Sequence, residues 1–106
     1  MTAAVQDELD LLATAWHPTA QESREAIRRA VMAAAAEHRG LVHASTVREH
    51  LPPWVNPSQI GAQMCAWVRQ GYLTPTGRYR PNGDATSRNR TKASEVRRLV
   101  KPIPPA

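Results

Sequence analysis

The sequence has no phenylalanine, and aromatics make up only 5% of its 106 residues. A core rich in stacked rings is therefore excluded. It must be built from Ala, Val, Leu, Ile, Met and Trp, a set that favours helices lying close together over a thick sheet sandwich. The single cysteine, Cys65, excludes an intramolecular disulfide. No stretch approaches the roughly 18 apolar residues of a membrane span. No charged-then-apolar leader opens the chain, so the expectation is a cytoplasmic protein with no membrane contact. The length implies one small domain with a modest core.

Acidic residues are scarce where basic ones are dense. Residues 1–68 carry five Arg against seven Asp and Glu, a net of −2; residues 69–106 carry seven Arg and two Lys against Asp84 and Glu95, a net of +7. A cluster of one sign points to a polyanionic partner such as nucleic acid, and the bland alternative is a solvated face. Arginine dominates, and its planar fork suits phosphate and guanine.

Val5, Leu9, Leu12 and Trp16 recur at helical spacing, with Asp7, Glu8 and Asp10 early and Pro18 as a stop. This helix, in residues 1–18, either packs on the core or pairs with a second copy in a homodimer. Thr19-x-x-Glu22 reads as a capping box for a second helix to about Arg39, with Ile27, Ala30, Val31, Ala34 and His38 on its inner face and Gly40 as the stop. Leu41–His43 suits a brief strand or an extended link. Ser45 or Thr46 is expected to cap a short third helix, Thr46-x-x-Glu49 forming its box and Val47, His50 and Leu51 facing inward, before Pro52-Pro53. Asn56-Pro57 marks the start of a fourth helix running to Gln70, with Ile60, Met64, Trp67 and Val68 inside. Gly61, inside that helix, suggests close contact with the preceding one. After Gly71, residues 72–76 and 78–80 read as strand, 81–84 as a turn, and 85–92 as polar and flexible. Residues 93–100 fit either a helix face or a strand, and the strand is favoured because it can pair back. The tail, residues 101–106, is expected to be extended and loose.

The pieces "LVHASTVREHL", "NPSQIGAQMCAWVRQGYL" and "TGRYRP" place a short helix, a turn, a second capped helix and a hairpin in succession. That order resembles the winged helix-turn-helix DNA-binding domains. It also resembles, in general style, small winged-helix proteins of actinobacterial phages and prophages. The resemblance implies a mainly α fold with a small β-hairpin, its domain spanning residues 19–100. It also implies a recognition helix, Asn56–Gln70, entering the major groove of double-stranded DNA. That helix would present Ser58, Gln59, Ala62, Gln63, Ala66 and Arg69. Gln59 and Gln63 are able to read adenine, and the alanines allow close approach or a thymine-methyl contact. The wing, Gly77–Lys92, and the strand after it would bring Arg78, Tyr79, Arg80, Arg88, Arg90, Lys92, Arg97 and Arg98 to the backbone or minor groove. The use implied is regulatory.

No catalytic constellation is present. His17, His38, His43 and His50 lack the tight spacing of a metal site, and no cofactor motif occurs. Cys65 reads as a small packing residue. Trp54 and Trp67 read as core, with Trp54 the one able to face a partner. Two other functions stay open. One is a winged-helix module that binds a host or partner protein. The other, ranked lower for want of aromatic platforms, is single-strand or RNA binding.

Overall fold

In the computed structural model, which describes residues 18–81 and 93–106, Thr19 opens helix α1 (Ala20–Glu37), its hydroxyl accepting from the Glu22 amide at 3.0 Å. Ile27, Ala30, Val31 and Ala34 form the buried stripe that their spacing predicts. His38 does not extend it: the residue falls at the C-cap and is exposed. The chain then turns through Arg39 (φ 55°) and Gly40 (φ 89°), and the Gly40 amide donates to the Ala35 carbonyl at 2.7 Å. Glycine fits that left-handed position without the Cβ clash.

Strand β1 (Leu41–Val42) leads into α2 (Ala44–Arg48). Its cap is His43, not Ser45 or Thr46. The His43 ring accepts from the Ser45 amide, and Thr46 returns by accepting from the His43 amide at 3.2 Å. The expected Thr46–Glu49 box falls one turn late, with Glu49 at the helix end. Val47 is fully buried, whereas His50 and Leu51 are half-buried. Val55 inserts into the core before α3 (Gln59–Arg69), which buries Ile60, Met64 and Trp67. Each large side chain removed from water contributes roughly 1.5–3 kcal/mol.

Strands β2 (Leu73–Pro81) and β3 (Ala93–Leu99) follow, so the ambiguous segment is a strand. β3 is central in an antiparallel sheet of order β1-β3-β2, pairing Leu41 with Arg98 on one side and Leu73 with Leu99 on the other. The expected mainly α fold with a hairpin is thus coarser in fact. It is a small compact α/β protein with three helices and a three-stranded sheet among the described residues, because β1 pairs as well.

Residues 101–106 do not hang loose. Ile103 is 2% exposed in the core cluster, its carbonyl accepting from Arg28 Nη1 at 3.2 Å. Ala106 is held by Gln21 and Glu25 of α1. The expected helix carrying Val5–Trp16, its dimer role, and the loop at 82–92 lie outside the described residues. Among the described residues no helix is long and apolar enough to cross a membrane.

Candidate nucleic-acid interface

α3 starts two residues later than the expected Asn56 cap and Pro57 first position, with Ser58 at the N-cap and Gln59 as its first residue. Asn56 Oδ1 accepts from the Ser58 amide at 3.0 Å, and the Gln59 and Ile60 amides close tight turns onto the Asn56 and Pro57 carbonyls. Ser58 is the N-cap residue but makes no side-chain cap bond. With Ile60, Met64 and Trp67 inward, the opposite stripe is Ser58, Ala62, Cys65 and Arg69, all exposed.

The residues expected to read bases do not share one surface. Ser58, Gln59, Ala62 and Arg69 are exposed, whereas Gln63 and Ala66 are half-buried. Gln63 and Ala66 line a cleft with Gln70, Tyr72, Ile103 and Pro104, on the flank that the docked tail occupies. The other flank carries Cys65, which is exposed rather than packed, its Sγ 3.7 Å from Arg97 Nη2 of β3. Trp54 departs from its core assignment with 39% exposure, whereas Trp67 is buried. Gly61 makes no close helix contact: nothing lies within 4 Å of the position its Cβ would take.

In the hairpin, Pro75 pairs with Arg97 and Arg78 with Val96, leaving Thr76 and Gly77 bulged. Gly77 adopts φ 78°, and its amide donates to Glu95 Oε2 at 3.2 Å. Thr76 Oγ1 accepts from the Arg78 amide and donates to the Val96 carbonyl. Beyond the bulge Arg78, Tyr79 and Arg80 are exposed, Tyr79 at 65% opposite Glu95. Alternation along β3 sends Arg97 and Arg98 to opposite faces. Arg97 turns toward α3, while Arg98 shares a shallow hollow with Arg78, Leu41 and Thr74. Arg88, Arg90 and Lys92 lie outside the described residues.

Arginine ion pairs among the described residues centre on Glu25. On α1, Glu25 takes Arg28 through both oxygens at 2.8 and 2.7 Å, and Arg29 at 2.9 Å. These bonds hold the Glu25 carboxyl well below its ordinary range, at about 2, with Arg28 the largest cause and the Ala106 amide next. Among the described residues, Arg69, Arg78, Arg80, Arg97 and Arg98 have no carboxylate partner. Arg97 Nε is buried without an acceptor. No group of three metal-ligating side chains occurs among the described residues.

Sequence reading missed three contributors: His43, Glu95 and Thr76. His43 is 2% exposed, its Nε2 lying 3.1 Å from the Arg80 carbonyl, so it joins the α2 cap to the hairpin. A histidine cap has weak sequence signal. Gly77 within a strand was the available sign of the bulge. Comparison with protein-family models, with curated proteins and with solved structures finds no match.

Proposed function

We propose that this chain is a small regulatory DNA-binding protein of the winged helix-turn-helix kind. In this reading α2 and α3 form the helix pair and the β2–β3 hairpin forms the wing. The element order α1-β1-α2-α3-β2-β3 with sheet order β1-β3-β2 supports it. The observation that carries it is the partition of guanidinium groups. Arg28 and Arg29 on α1 are ion-paired to Glu25, while Arg69 on α3 and Arg78, Arg80, Arg97 and Arg98 on the hairpin have no carboxylate partner among the described residues, as is also true of Arg24 and Arg39. Guanidiniums clustered on α3 and the hairpin suit the regularly spaced phosphates of a duplex, although Arg97 and Arg98 face opposite ways. Base reading falls to Ser58, Gln59, Ala62 and Arg69, since Gln63 and Ala66 adjoin the tail.

The test is duplex binding at about 50 mM and about 200 mM salt by wild type and by the Arg78→Ala/Arg80→Ala double variant. The variant is expected to bind more weakly, with its log–log salt slope flattened by about 2 units. Unchanged affinity and slope would remove the hairpin from the interface. A second reading, a protein-binding module, is favoured by the 39% exposure of Trp54 beside Pro53. It gains if no duplex binds at the lower salt.

A further inference from the structure

His43 occupies the junction of three elements. It follows β1, caps α2 and touches β2. Its ring chemistry fixes one protonation state. The Arg80 carbonyl 3.1 Å from Nε2 can only accept, so Nε2 carries a hydrogen. The Ser45 amide 3.1 Å from Nδ1 can only donate, so Nδ1 presents its lone pair. The neutral Nε2–H tautomer satisfies both partners, and the imidazolium does not.

We infer that His43 is a proton-sensitive positioning residue: neutral, it latches the hairpin at Arg80 to the cap of α2, and on protonation it lets both go. For DNA affinity this rests on the DNA-binding reading above; for hairpin docking it does not.

A proton added at Nδ1 would face the Ser45 N–H, two donors opposed. The Ser45 hydroxyl, 2.8 Å from Nδ1, can turn to accept the new proton, but the amide then loses its partner. Charged groups around the ring oppose the cation. Arg78 and Arg80 of β2 and His38 at the end of α1 line the same cleft, and Arg97 of β3 lies within electrostatic reach. The α2 side offers Ser45 and Thr46, which do not ionise. Glu95, the acidic residue of the hairpin among the described residues, is turned to the Gly77 amide. Burial pushes the His43 imidazolium below its ordinary range, and the Arg80 and Arg97 charges act the same way against the Arg80 and Ser94 carbonyls. The undocked ring therefore takes a proton more readily than the docked one. Docking is fully present above the ordinary histidine value of about 6.5 and weakens as pH falls below it.

His43→Asn separates the two roles. Asparagine is a good cap for the α2 amides but is too short to reach the Arg80 carbonyl. Amide hydrogen exchange and ring nitrogen shifts are to be followed by NMR from about pH 7.5 to about pH 5 in both proteins. Wild type is expected to show the Nε2–H tautomer, with hairpin amides at 78–80 and 93–96 losing protection as the ring titrates. In the variant, α2 amides stay protected while hairpin amides start about fivefold less protected and no longer respond to pH. Wild-type duplex affinity should fall relative to the variant over the same range. The proposal is overturned if hairpin protection in the variant equals wild type, or if the wild-type ring titrates with the hairpin amides unmoved. Should the variant fail to fold, the wild-type titration decides alone. Should neither protein bind duplex, the DNA reading falls while the amide measurement still decides the latch.

Discussion

Two glycines in this chain obey opposite rules, and the difference is local geometry. Gly61 lies inside α3, exposed, with open space where a Cβ would stand. A glycine there costs about 1 kcal/mol against alanine, and no contact within the described fold offsets it. Gly77 sits in the hairpin bulge at φ 78°, a backbone that side-chain-bearing residues resist. Gly61→Ala is therefore expected to stabilise the protein by about 1 kcal/mol, raising Tm by about 4–8 °C. Gly77→Ala is expected to destabilise it by a similar amount, about 1 kcal/mol. Thermal and urea unfolding of both variants check the pair, and a Tm loss in Gly61→Ala would mean that the α3 surface is packed against something. Gly61 lies one turn before Cys65 on the exposed side of α3. A bulky Gly61→Leu should leave the fold intact but weaken duplex binding if that face approaches DNA closely.

Elements differed in how much of them could be read from sequence. α1 was legible because apolar spacing, the Thr19 cap and Gly40 agreed, and α3 was legible from its Ile60–Met64–Trp67 stripe, although its N-cap is Ser58 and not the expected Asn56. β3 was legible from the alternation around Val96, although a helix fitted nearly as well until its pairing with Leu73–Pro81 decided it. The division of α3 into a tail-facing flank and an exposed one was not legible. It depends on Ile103 reaching the Arg28 guanidinium at a sequence separation of 75, for which proline-rich sequence gives no local sign. That docking makes the tail an element with its own chemistry. Glu25 holds Arg28, Arg29 and the Ala106 amide together, with its carboxyl lowered to about 2 from 4.5. A carboxyl depressed in the folded state stabilises above its unfolded value, and this is lost as pH falls toward the folded one. Between about pH 5 and about pH 2 the tail should lose amide protection and Tm should fall. In Glu25→Gln the neutral-pH Tm should already be lower and this acid-dependent loss smaller. An acid response identical to wild type would show that Glu25 does not hold the tail.

At the scale of the whole molecule, charge and reading capacity are unequal. On α3 and the hairpin, Arg69, Arg78, Arg80, Arg97 and Arg98 lack a carboxylate partner among the described residues, yet the outer stripe of α3 is mostly small residues, and Gln59, beside that stripe, is the one exposed amide side chain of the helix expected to read a base. Since Arg97 and Arg98 face opposite ways, at most four of these meet one duplex; if each neutralises a phosphate, the log–log salt slope is about −3.6, and affinity falls about 150-fold between about 50 and about 200 mM salt. A single bidentate amide–adenine contact discriminates by only about 1–3 kcal/mol, roughly ten- to a hundredfold, whereas dedicated regulators reach about 10³–10⁷. Selection from pooled oligonucleotides should therefore return a preference no greater than about a hundredfold over random duplex. Gln59→Ala should erase most of that preference and leave the salt slope intact, since the two quantities come from different residues. A preference above about 10³ would require base readers beyond α3, from the stretch at 82–92 or from a second copy of the chain supplying another half-site. A salt slope that moved with Gln59→Ala would instead place this glutamine on phosphate, and base reading would then have to come from Ser58 or Arg69.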